Sequence, residues 1–202
     1  MCEGRTVTIG FIAETSTTIT SRASRNLEAA EWTGVGVPLL ANPRDVIKDL
    51  HSRHQPPPST AVVAVYDPDG RIRASASFAA RADVSDGWER RNALLSHLRR
   101  VIPHDLRLRQ PVRTAVLMVC RDGKGGWTEE DGAWMWGLRD ACTLHGLRCG
   151  SYVTLTGEGW NIIGENRNGR TPNSTSYPRR AGGPVPAVPG GGPQPLRRTA
   201  AR

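Results

Sequence analysis

The chain has 202 residues, 38% of them hydrophobic and only 5% aromatic, with a formal net charge of +8. No apolar run approaches the roughly 18 residues that a membrane span needs, and Met1-Cys2-Glu3-Gly4-Arg5 leads into Thr-interrupted sequence without the apolar core of a secretory signal. The four cysteines (Cys2, Cys120, Cys142 and Cys149) form no C-x-x-C pair and are too few for a disulfide scaffold, so a reducing cytoplasm is the expected setting.

The charge is unevenly placed. Residues 164–202 carry seven arginines against one acid, Glu165, which accounts for six of the eight charges and leaves an ordinary balance for residues 1–163. The body therefore lacks the electrostatic footprint of a nucleic-acid binder. Only Lys48 and Lys124 are lysines, a skew that a GC-rich genome produces without any selection for phosphate contacts.

In chain order, Val7, Ile9, Phe11 and Ala13 alternate with Thr and Gly and predict a short strand. Residues 24–32 predict a brief helix capped by Ser24. Asn42 followed by Pro43 is a strong helix start, with Val46, Ile47 and Leu50 as the apolar face and Pro56-Pro57-Pro58 as the stop. His51 and His54 fall at the end of that helix, where protonated imidazoles complement the dipole.

From Thr60 the pattern is that of a compact α/β module. Residues 61–66 form a near-continuous apolar run, as expected of a strand buried on both faces. Asp67-Pro68-Asp69-Gly70 is turn chemistry, and residues 71–76 alternate as the returning strand. A helix is predicted over 88–102 and a second buried strand over 114–120. After a Gly-containing loop, Thr128-Glu129-Glu130-Asp131 fits the capping-box start of a helix that Gly146 closes. Residues 151–155 are read as the last strand. Beyond Ile163 the abundance of Pro, Gly and Arg predicts a disordered tail, since so few apolar groups cannot offset chain entropy. The organisation expected is an N-terminal extension over 1–40, an α/β domain over 41–163 and the tail over 164–202.

Three of these segments together resemble the RadC-type JAB domain, a branch of the JAMM/MPN metalloprotease-like superfamily. They are the Asn-Pro-Arg-Asp-Val-Ile-Lys-Asp-Leu helix, the hairpin over 62–76, and the strand, loop and Thr-capped helix over 118–147. The resemblance covers about 120 residues. It implies a JAB/MPN-like, cytidine-deaminase-like three-layer fold, and for RadC relatives a DNA-repair label and an association with mobile elements. The family signature is His-x-His, seven residues, Ser, two residues, Asp. Its two imidazoles and carboxylate hold Zn²⁺ with one position open for water, whose pKa the metal lowers. On this chain the frame fits without a gap as Met118-x-Cys120, seven residues, Thr128, two residues, Asp131, with Gly123 at the loop glycine.

The resemblance thus assigns Cys120 and Asp131 as residual metal ligands and Thr128 as the oxyanion-position equivalent. Met118 substitutes a thioether, a poor ligand for zinc, for the first His. The region 57–61, where the family's general-base Glu is expected, holds no acid. Two ligands fall short of the three a catalytic zinc needs, so no cofactor is expected, and zinc only if the site has been rebuilt.

Three functions follow. The first is a catalytically degenerate, RadC-like pseudoenzyme that binds or scaffolds. The second is a JAMM-type zinc hydrolase or isopeptidase that recruits further His or Cys to Cys120 and Asp131. The third is a nucleic-acid binder acting through tail residues Arg167, Arg170, Arg179, Arg180, Arg197 and Arg198. A protein or nucleic-acid partner is expected, without a membrane or a small-molecule cofactor. Cys142 and Cys149 read as buried small hydrophobes and His145 as a capping or core residue. Trp134 is expected inside, with Trp127 and Trp136 as candidates for a stacking or partner surface. Gly123-Lys124-Gly125-Gly126 lacks the spacing of a P-loop.

Overall fold

The structure, a computed structural model, describes residues 25–34, 40–80, 86–104 and 110–176. The strand expected from Val7 to Ala13, the Ser24 cap and Arg179, Arg180, Arg197 and Arg198 lie outside the described residues. The elements are α1 (Ala29–Gly34), α2 (Pro43–His54), β1 (Thr60–Tyr66), β2 (Ile72–Ala79), α3 (Gly87–Val101), β3 (Thr114–Cys120), α4 (Glu129–His145), β4 (Arg148–Thr156), β5 (Gly159–Ile162) and β6 (Arg167–Gly169).

The strands form one mixed sheet in the order β2-β1-β3-β4-β5-β6. β1 pairs antiparallel with both β2 and β3, and every one of its residues is buried, which is why it reads as a continuous apolar run. Among the described residues β3 and β4 are the one parallel pair, and α4 connects them. Side chains alternate across the sheet and so build two cores. On one face Val62, Ala64, Val116, Met118, Cys120, Val153 and Leu155 pack with Ile47 and Leu50 of α2. On the other, Val63, Val65, Leu117, Val119 and Tyr152 pack with Leu94 and Leu98 of α3 and Trp134 and Leu138 of α4.

α3 and α4 pack closely through Gly137, where an added Cβ would come 2.9 Å from the Arg91 nitrogen and 3.1 Å from the Arg90 Cβ. Arg90, nearly fully buried, pairs with Glu130 at 2.8 Å and lies 4.4 Å over the Trp134 ring, tying the two helices together. α3 starts at Asp86, whose carboxylate accepts from the Trp88 N–H. Asn42 does stand at the α2 cap position ahead of Pro43, but its side chain makes no cap hydrogen bond.

Two expectations are corrected here. The ordered body does not end at Ile163, and residues 151–155 are not the last strand. Residues 164–176 continue the fold, with β6 paired to β5 and Ser174 buried. These strands are three and four residues long, rich in Asn and Gly, and held by turns at Gly159 and Gly164 with φ of +132° and +82°. Such short polar strands have no periodicity of their own and form only as additions to an existing edge. His51 and His54 do fall in the last turn of α2. Burial pushes both imidazoles below their ordinary pKa, and His54 hydrogen-bonds the Ser75 hydroxyl at 2.9 Å. No helix among the described residues is long and apolar enough to cross a membrane.

Candidate functional site

The loop between β3 and α4 lies over the carboxyl ends of β3 and β4, the sheet's parallel pair. α4 begins there with a full capping box. The Thr128 hydroxyl accepts from the Asp131 N–H at 3.3 Å, and the Asp131 carboxylate accepts from the Thr128 N–H at 2.8 Å. Here the local spacing read from sequence is realised. What sequence did not show is the rest of the Asp131 environment.

Asp131 is fully buried and its carboxylate is saturated. Oδ1 accepts from Arg121 Nε at 3.3 Å and from the Tyr152 hydroxyl at 2.8 Å. Oδ2 accepts from Arg121 Nη2 at 2.9 Å, from the Thr128 N–H at 2.8 Å and from the Thr128 hydroxyl at 2.8 Å. A carboxylate offers about four lone-pair sites, and five donors converge on this one. Burial and the neighbouring carboxylate raise the Tyr152 phenol well above its ordinary value, so it stays a neutral donor.

Arg121 is equally committed. Besides Asp131, its guanidinium donates to the carbonyls of Asp122 at 3.3 Å, Lys124 at 2.9 Å and Gly126 at 2.6 Å. All five of its N–H groups thus have an acceptor. One cation gathers a carboxylate and three loop carbonyls, much as a hard metal ion would, and wraps residues 122–126 around itself. Asn161 Nδ2 at 2.9 Å and the Thr154 hydroxyl at 3.3 Å hold the Gly125 carbonyl from the other side. Gly123 takes φ +90° in this wrap, a conformation that L side chains rarely adopt.

The residues assigned by the family frame are not brought together. Met118 and Cys120 share a face, as their spacing requires, but it is the α2 face, where both are fully buried among aliphatic side chains. Asp131 meets Tyr152, whose ring belongs to the α3–α4 face. The sheet therefore lies between the presumed ligands. Burial also pushes the Cys120 thiol up to about 12, away from the thiolate a metal needs. Among the described residues no three His, Cys, Asp or Glu side chains form a metal-holding group. This donor set does not fit zinc. Thr128 is committed through both its hydroxyl and its N–H to Asp131, which leaves the capping role in place of an oxyanion role.

The remaining candidates divide. Arg167 is not a tail residue: its guanidinium pairs with Glu165 at 2.7 Å and donates to the Leu40 carbonyl at 2.7 and 2.6 Å, fastening β6 to the entry of α2. Arg170 follows β6 and is exposed. His145 is a core residue, its Nε2 donating to the Ile102 carbonyl at 3.2 Å. Cys142 and Cys149 lie with the α3–α4 core, across the sheet from Cys120. Trp134 is buried as expected, and Trp127 and Trp136 are half-buried against the same core.

Arg121 escaped the sequence reading because it looked like the first residue of a polar loop. Its signal was available as the pairing of a strand-ending Arg with the N3 acid of a capping box ten residues on. Beside the Arg121-held loop, a cleft of ≈ 340 Å³ opens between Lys124-Gly125, the β4–β5 turn at Glu158 and the end of β6 at Arg170. Comparison of the chain with protein-family models, with curated proteins and with solved structures gives no match.

Proposed function

We propose that this chain is a RadC/JAB-like domain that acts by binding, as a scaffold or adaptor for a protein or nucleic-acid partner, and not by catalysis. The observation that carries this reading is the saturated Asp131 carboxylate. The residue that would complete a zinc site under the family frame is spent on Arg121, Thr128 and Tyr152, with Arg121 in the role of the cation. Support for the JAB/MPN assignment comes from the order of elements: leading helix, hairpin, helix, strand, capped helix and strand, with helices on both faces of a mixed sheet. A cation built into the chain keeps the loop over β3 and β4 folded without an exchangeable metal. Such a domain offers a preformed surface at the carboxyl ends of the parallel strands.

The test is elemental analysis of the purified, untagged protein, followed by zinc titration and a peptidase and isopeptidase screen. We expect no stoichiometric zinc and no metal-stimulated cleavage. Near-stoichiometric zinc that disappears in both Cys120→Ser and Asp131→Ala, together with hydrolysis, overturns the reading and restores the hydrolase.

A further inference from the structure

The Arg121-centred wrap has a second consequence. Each peptide unit is planar and trans, with its C=O and N–H pointing in opposite directions. Turning the carbonyls of Asp122, Lys124 and Gly126 onto the guanidinium therefore turns the N–H groups of Gly123, Gly125 and Trp127 away from it. Among the described residues no acceptor meets those three N–H groups. An outward amide that meets no acceptor is a donor available to water or to an anion.

Gly125 lines the ≈ 340 Å³ cleft together with Lys124 of the same loop and Arg170 after β6. Lys124 and Arg170 are exposed, and neither makes an ion pair or side-chain hydrogen bond among the described residues. Glu158 is the one carboxylate on the lining, so the cleft carries an excess positive charge. Asn168, also exposed, adds an amide to the lining. The lining also includes Thr156 at the carboxyl end of β4, the side of an open α/β sheet where ligands commonly bind.

We propose that this cleft binds the phosphoryl group of a small phosphate ester. Lys124 from the loop and Arg170 from the end of β6 contact the anion, and the Gly125 N–H donates to it. A phosphoryl group suits this arrangement because its three acceptor oxygens can answer several donors at once. Glu158 faces the same space, and its charge limits the affinity.

The proposal deepens the binding-domain reading and rests on it, yet the two fail separately: zinc content reports on the lost metal chemistry, phosphate titration on the cleft. The experiment is calorimetric titration of the full chain with inorganic phosphate at low ionic strength, with chloride at matched ionic strength as the control. Lys124→Ala, Arg170→Ala and Glu158→Gln are exposed substitutions that leave the core untouched. Saturable binding that weakens about three- to fivefold in each of the first two variants is expected, as for partly screened contacts. It should tighten in Glu158→Gln. An absence of saturation overturns the proposal. So does an affinity unchanged by Lys124→Ala and Arg170→Ala but abolished when Arg179, Arg180, Arg197 and Arg198 are replaced by Ser, which would place the binding in the tail.

Discussion

Replacing Arg121 by Met is the sharpest perturbation of this fold. The methionine keeps the apolar stem but removes the cation paired with a carboxylate that is 0% exposed. Breaking a buried ion pair from one side costs about 3–5 kcal/mol, because the remaining charge is left uncompensated. The Thr128 N–H, the Thr128 hydroxyl and the Tyr152 hydroxyl still hold Asp131, which points to the lower end of that range. Three loop carbonyls lose their donor in the same step, but the loop borders solvent and water can replace it. The expected loss is therefore about 3 kcal/mol, a large share of a typical domain stability of roughly 5–15 kcal/mol. Urea unfolding followed by circular dichroism reads it as a lower midpoint at constant slope.

The double variant Arg121→Met/Asp131→Asn separates charge pairing from loop packing. Neutralising both partners removes the orphaned charge, so the double variant should recover stability relative to Arg121→Met, with a coupling energy of about 1.5–3 kcal/mol. If Arg121→Met costs less than about 1 kcal/mol, or if the two substitutions add within about 0.5 kcal/mol, the pair is not the organising centre described above.

Three further outcomes are expected. Gly137→Ala drives a methyl to 2.9 Å from the Arg91 nitrogen at the α3–α4 contact and should destabilise by about 1–3 kcal/mol in the same assay; a neutral result means the helices separate freely. Cys120, with its thiol pushed up to about 12 by burial, should resist Ellman's reagent at pH near 8 in the native state, whereas the partly exposed Cys149 reacts; peptide mapping that finds Cys120 labelled at the rate of a free thiol refutes its burial. His51, His54 and His97 are all held below the ordinary imidazole pKa, chiefly by burial. Below an unfolded-state pKa of about 6.5 the unfolded chain takes up protons that the folded chain resists, so their contribution is complete above about pH 7 and is lost as pH falls towards the folded values. The urea midpoint should accordingly drop between about pH 7 and 5.5, and a midpoint that rises over that window contradicts the assignment.

The local signals in the chain were decided by short-range chemistry. Pro43 behind Asn42 starts a helix because its fixed φ and missing N–H suit a first turn. Thr128 and Asp131 cap α4 because a hydroxyl and a carboxylate three residues apart reach each other's N–H groups whatever the tertiary context. The apolar runs at 61–66 and 114–120 are strands because only a strand covered on both faces needs apolar groups at every position.

Period-two geometry also dictated that Met118 and Cys120 share a face, but which face depends on strand register and on where α2 lands. Only the folded sheet puts them across from Asp131, and so a metal frame correct in spacing is not correct in space. β5 and β6 carry no periodic signal, since their stability comes from the ladder they join and from Arg167 reaching Leu40, 127 residues away. Arg121 is the clearest case. Its position ten residues before the N3 acid of a capping box is a signal but does not fix its role, which consists of a buried carboxylate on another element and three carbonyls that turn inward only once that ion pair exists.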